Sequence, residues 1–155
     1  MIKLMIGVKG AGKTKTLIER ANKALSATDG SVVVLEKGDK LRHDINYQAR
    51  LINTNDYLIE DASSLIGFVA GILASNSDIT DVLVDSALKI AGNDVAAFEA
   101  SLCKLEKLTA VQKVNIFMTI SLPVEEAGDN MKKFMQKDYI AIIPAAQCAA
   151  GICCH

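Results

Sequence analysis

The sequence predicts a three-layer α/β/α fold, with a mostly parallel central sheet of about five to six strands covered by helices on both faces. Three observations carry that expectation. Runs such as Ser31–Glu36 (SVVVLE), Asp81–Asp85 (DVLVD) and Val114–Ser121 (VNIFMTIS) are almost continuously apolar rather than alternating, as strands buried on both faces are. Helical stretches separate them, and parallel strands need such crossovers. A glycine-rich stretch, Gly7 to Thr14, joins the first strand to the first helix.

The elements follow in order. Ile2–Ile6 reads as a strand, and a helix runs from Lys13 to about Ser26. Asp29-Gly30 marks a turn before the buried strand Ser31–Glu36. Lys37–Tyr47 is polar and irregular, and Arg50–Asn53 is a short strand. Asp61–Asn76 is a helix capped by Asp61 or Ser63. Asp81–Asp85 is a strand, and Asp94–Leu105 a helix capped by Asn93 or Asp94. Val114–Ser121 is the clearest strand, Glu125–Gln136 is helical, and Tyr139–Ile143 closes the sheet. Residues 1–145 therefore form one domain, followed by a cysteine-rich tail at 146–155.

Bulk properties narrow the function. At 155 residues the chain has the size of one domain. Half of it is apolar but only 5% is aromatic, with no Trp, so the core must be aliphatic. A net charge of −1 gives no basic field for nucleic acid or for a membrane surface. The longest apolar run, Leu65–Ala74, is too short to span a bilayer, and its Gly67 and Gly71 fit helix-on-sheet packing. The opening is too short for a signal peptide, so a cytoplasmic location with reduced thiols is expected.

Gly7-Val8-Lys9-Gly10-Ala11-Gly12-Lys13-Thr14 matches the phosphate-loop pattern G-x-x-x-x-G-K-[ST]. Glycines let successive N–H groups point inward at phosphate oxygens, and the helix that starts here adds its positive end. Lys13 is placed to reach the β- and γ-phosphates, and the Thr14 hydroxyl to hold Mg²⁺. Lys9, Gly10, Ala11, Gly12, Lys13, Thr14 and Lys15 are the expected contacts of ATP, with Lys9 a solvated charge near phosphate. Such a site needs a second metal anchor, commonly an Asp ending a nearby apolar strand. Asp85, after Val82-Leu83-Val84, fills that position with Thr14 as its partner.

With these motifs the chain resembles a minimal RecA-type P-loop ATPase core over most of residues 1–145, in element order. Asp85-Ser86 resembles the Asp-Ser that ends the metal-anchoring strand of that family. The resemblance implies a strand inserted between the phosphate-loop strand and the Asp strand. It also implies a catalytic glutamate at Glu36, ending the strand after the phosphate-loop helix and polarising the attacking water. The alternative reading of Glu36 is an exposed strand-end carboxylate beside Lys37 and Lys40. A γ-phosphate sensor falls on Thr119 or Ser121, and an ordinary strand hydroxyl is the alternative. The stretches MIKLMIGVKGAGKT, LEKGDKL and LVDSALKIAGND also resemble small clostridial proteins labelled ATP-binding or pilus-retraction-like. The chain is far too short for a retraction ATPase and lacks its acidic and His boxes.

Rival readings have less behind them. No N-K-x-D loop supports guanine specificity. Only Arg20, Arg42 and Arg50 are present, few for a kinase that clamps its phosphates, although Arg42, His43 and Arg50 could line an acceptor pocket. No arginine finger is evident. Fast hydrolysis would need charge from a protein partner or a second copy of the chain, with Lys132 or Lys133 as candidates. Cys148, Cys153, Cys154 and His155 could bind a soft metal, but adjacent cysteines fit one tetrahedral ion poorly, and an incidental tail is the simpler reading. The expectation is a slow Mg²⁺-dependent ATPase. A nucleotide-set binding module is second, and a small-molecule kinase is fainter still.

Overall fold

The computed structural model describes residues 1–135. Five strands, β1 (Ile2–Gly7), β2 (Ser31–Glu36), β3 (Arg50–Asn53), β4 (Ile79–Val84) and β5 (Asn115–Ser121), form one sheet in the order β1-β5-β4-β2-β3. Every pairing between them is parallel. An isolated parallel bridge from Leu4 to Met135 lies on the outer edge of β1. The expected strand Tyr139–Ile143, the end of the 1–145 domain and the cysteine-rich tail lie outside the described residues.

The helices are α1 (Lys13–Ala27), α2 (Ala62–Ser75), α3 (Ala87–Ile90), α4 (Val95–Gln112) and α5 (Asp129–Phe134). Local chemistry sets their starts. Asp61 caps α2 by accepting from the Ser64 N–H at 2.7 Å, and the Ser64 hydroxyl accepts in return from the Asp61 N–H. Asp94 caps α4 through the Ala97 N–H. Two expected boundaries move. Helix α4 continues past Leu105 to Gln112, because nothing in Glu106–Gln112 interrupts it, and Lys113 ends it in the left-handed region. The expected helix Glu125–Gln136 is split. A 3₁₀ turn at Val124–Glu126 ends at extended Ala127, and α5 begins only after Gly128.

Strand alternation divides the core between the two faces. One face of the sheet presents Leu4, Ile6, Leu35, Val82, Val84, Ile116, Met118 and Ile120 to α2, α3, α4 and α5. Leu65, Val69, Leu102 and Leu105 fill that layer with no exposed surface. Burying each such side chain stabilises the fold by about 1.5–3 kcal/mol. The opposite face presents Met5, Val32, Val34, Leu83 and Phe117. A single long helix, α1, covers it with Leu17 and Ala21. The polar stretch after β2 helps: its Leu41, Ile45 and Ala49 turn inward and complete this layer. Asn22 of α1 ties the stretch down, donating to the Asp44 carbonyl and accepting from the Asn46 N–H.

Candidate functional site

The site is built at the carboxyl edge of the sheet, where β1 passes into α1. Gly10 and Gly12 have φ of 87° and 83°, a left-handed conformation that side chains rarely adopt. A Cβ at either would meet nothing within 4 Å. These glycines are therefore needed for backbone direction rather than for space. Gly12 is the N-cap of α1 and no side chain caps the helix, in contrast to α2 and α4. The first turn of α1 thus keeps its N–H groups for an outside acceptor.

Lys13 is buried, and its ammonium donates to the Val8 carbonyl of its own loop at 2.7 Å. Burial holds its pKa below the usual lysine value, while the nearby Asp85 charge pulls the other way. Thr14 is exposed, with Lys9 and Lys15 exposed on the same loop and helix start and Ala11 half-buried.

The neighbours come from three strands. Strand register places Glu36, Asp85 and Thr119 just at or beyond the ends of β2 and β4 and within β5, on the α1 side. Thr119 is 1% exposed. Its hydroxyl donates to Asp85 Oδ1 at 2.8 Å and accepts from the Ser86 N–H at 2.8 Å. This fixes one carboxylate oxygen and also the turn behind it, where Ser86 has φ of 55°. The Thr14 hydroxyl faces both Asp85 oxygens, at 3.2 and 3.4 Å. Those distances are long for O–H···O bonds. Thr119 is therefore the hydroxyl of the expected pair that faces the site, and Ser121 is exposed.

Glu36 is 3% exposed, not the solvated strand-end carboxylate of the alternative reading. Its Oε2 accepts from the Leu41 N–H at 2.9 Å, and its Oε1 is buried with no hydrogen-bond partner. Burial pushes its pKa up, opposed by backbone bonds from Leu41 and Lys40 and reinforced by the charges of Asp85 and Asp39. A small cavity of about 40 Å³ lies beside it, lined by Glu36, Lys37, Lys40, Asp85, Ser86 and Lys89.

Sequence reasoning placed Lys37 and Lys40 beside Glu36 but missed the Leu41 N–H and Lys89. A backbone donor leaves no side-chain signal. Lys89 stands on α3, a one-turn helix directed by the left-handed Ser86 that no residue type announced. Arg42, His43 and Arg50 are exposed, and none lines this cavity.

The donor set can be tested against a magnesium ion. Among the described residues no three Asp, Glu, His or Cys side chains cluster to bind a metal by themselves. Mg²⁺ characteristically takes one or two protein oxygens and fills the rest of its octahedron with water and phosphate oxygens. The Thr14 hydroxyl and the Asp85 carboxylate fit that requirement.

The fold is that of an α/β protein with an all-parallel five-stranded sheet flanked by helices, RecA-like in type. Among solved structures, the chain is similar to the flagellar accessory protein FlaH from Methanocaldococcus jannaschii. The TM-score is 0.56 at 14% identity, over 85% of this chain and 65% of that one. The chain thus spans just under two thirds of FlaH, and at this identity the likeness shows the fold. No protein-family model and no curated protein matches the chain. The resemblance to small clostridial proteins gains no support from these comparisons. Among the described residues, no helix is long and apolar enough to cross a membrane.

Proposed function

We propose that the chain binds ATP with Mg²⁺ and hydrolyses it slowly in the cytoplasm. The observation that carries this reading is the convergence of Lys13, Thr14, Asp85, Thr119 and a buried, half-satisfied Glu36 at one edge of the sheet. The uncapped start of α1 and the loop Lys9–Lys15 wrap the phosphates. Lys13 exchanges the Val8 carbonyl for phosphate oxygen, a stronger charge-assisted bond. Thr14 and Asp85 hold the Mg²⁺, which when bound offsets negative charge on the phosphates.

Thr119 fixes Asp85 and senses the terminal phosphate through it. Glu36 Oε1, facing no partner, orients a water and takes its proton. The water oxygen bonds to the γ-phosphorus, the bond to the bridging oxygen breaks, and ADP leaves with that electron pair. The raised pKa of Glu36 makes it a better proton acceptor once ionised.

The test is equilibrium binding of ATP and GTP with and without Mg²⁺, beside phosphate release, for wild type, Lys13→Ala and Glu36→Gln. The reading requires binding that depends on Lys13 and turnover that depends on Glu36. Turnover unchanged in Glu36→Gln would reject the mechanism.

One observation favours a second reading, a nucleotide-dependent binding module with negligible hydrolysis. Glu36 is held by its own loop at Leu41, and the cavity beside it contains lysines but no arginine. Under that reading ATP binds and stays intact. A protein partner or second copy of the chain then distinguishes the nucleotide-bound form from the free one. Equal partner binding with and without ATP would remove it.

A further inference from the structure

A second cavity lies at the other end of the strands, between the carboxyl-terminal half of α1 and the start of the sheet. Its volume is about 470 Å³, within the range of small-molecule sites. Among the described residues, α1 is the one long helix on this face, and the cavity lies between it and the start of β1 and β5. The floor is apolar, formed by Leu83 and Phe117.

The walls carry Lys3 of β1 and Arg20 and Lys23 of α1, against one carboxylate, Asp81. Among the described residues the one ion pair is Lys133 with Glu106, so no carboxylate lies within 4 Å of these three cations. Asp81 is engaged by the Thr80 hydroxyl at 2.8 Å. Arg20 sits over the Phe117 ring, 4.6 Å from its centroid. Stacking of this kind holds the guanidinium plane still while its N–H edge stays free for a bidentate anion.

We infer that this cleft is a binding site for a small organic anion: a carboxylate or phosphate head carried on a flat apolar body. The body rests along Leu83 and Phe117, and Arg20 takes the head with Lys3 and Lys23 adding charge. The volume suits a small molecule and is too small for a folded partner. Among the described residues, these three cations over an apolar floor are complementary to that chemistry. The site is distinct from the phosphate loop and does not depend on the function proposed above.

The probe is 8-anilinonaphthalene-1-sulfonate, an aromatic anion whose fluorescence rises on leaving water, titrated onto the full chain. Its uncharged analogue N-phenyl-1-naphthylamine is the control. Saturable one-site binding is expected, at least tenfold tighter for the anion, with saturating MgATP unable to displace it. Arg20→Glu should weaken it tenfold or more, and Lys23→Glu, at an exposed position on the cavity wall, severalfold, both with wild-type thermal unfolding. Backbone amide shifts of Leu83, Ile116 and Phe117 should move on binding.

No saturable binding, equal affinity for the neutral analogue, displacement by MgATP, or indifference to both charge reversals would each overturn the inference. Absence of probe binding together with a dimer that Lys23→Glu dissociates would assign the face to a second copy of the chain instead.

Discussion

Thr119→Val tests the side chain that ties Asp85 to the turn behind it. Valine matches threonine in shape but lacks the hydroxyl. The change deletes two 2.8 Å hydrogen bonds at a position 1% exposed. The costs are unequal. Asp85 is half-buried and recovers water in exchange, so its lost bond is partly compensated. The Ser86 N–H points at the buried position and finds no replacement. A buried donor left unpaired costs about 1–3 kcal/mol, and the lost bond to a carboxylate adds part of its ~1.5–3 kcal/mol.

The sum is about 2–4 kcal/mol, a large fraction of the ~5–15 kcal/mol that holds a domain folded. At roughly 2–4 °C per kcal/mol for a chain of this size, Tm should fall by about 5–15 °C. Urea unfolding followed by far-UV circular dichroism measures the change. Thr119→Ser is the internal control. It keeps both hydrogen bonds and loses one buried methyl, about 1 kcal/mol. Stability of the valine variant within 0.5 kcal/mol of wild type, or a serine variant as damaged as the valine one, would refute the argument.

Other expectations follow from the same geometry. The folded pKa of Glu36 is raised above its ordinary 4.5, so between 4.5 and the raised value the folded state keeps a proton that the unfolded chain has lost, and stability falls as pH rises through that window. Glu36→Gln should remove this dependence, so its stability relative to wild type should increase across the window in urea midpoints taken from pH 4 to 8. Lys13 has the opposite sign. Its folded pKa lies below 10.5, so stability rises with pH from the lowered value towards 10.5, and Lys13→Met should abolish that rise. The same variant should be at least as stable as wild type at neutral pH while losing ATP affinity more than tenfold by calorimetry. Leu105→Ala, in the fully buried seam of α4, should cost about 2–5 kcal/mol in urea unfolding.

Much of this was legible in the residues because the signals were local. The glycine-lysine loop needs only its own eight residues, and continuously apolar strands announce a sheet covered on both sides. Asp85 could be found because it ends such a strand. Glu36 could be placed by position, but its burial could not. What buries it is the fold-back of Leu41, Ile45 and Ala49, three apolar residues spaced four apart in a stretch whose polar neighbours make it look solvated. The choice between Thr119 and Ser121 was likewise invisible. Both point the same way along the strand, and the outcome depends on where β4 ends beside β5. The cleft was hidden for a further reason. Lys3, Arg20 and Lys23 read singly as surface charge, and only the path of α1 across the sheet gathers them.

The strand order also bears on how the chain is made. Strand β1 is made before the other described strands, yet among the described residues its one long pairing is with β5, more than a hundred residues downstream. At a synthesis rate of about 5–20 residues per second, the glycine loop waits roughly 6–20 s before the strand beneath it has a neighbour. Strands β2, β3 and β4 can pair meanwhile, because they lie close together in the sequence. That leaves the free edge of β4, with Val82, Leu83 and Val84, open as a template for any extended segment nearby. The nascent chain is therefore most exposed to misassembly in the interval between β4 and β5. The grouping of Glu36, Asp85 and Thr119 is complete only once β5, the last of the described strands, has arrived.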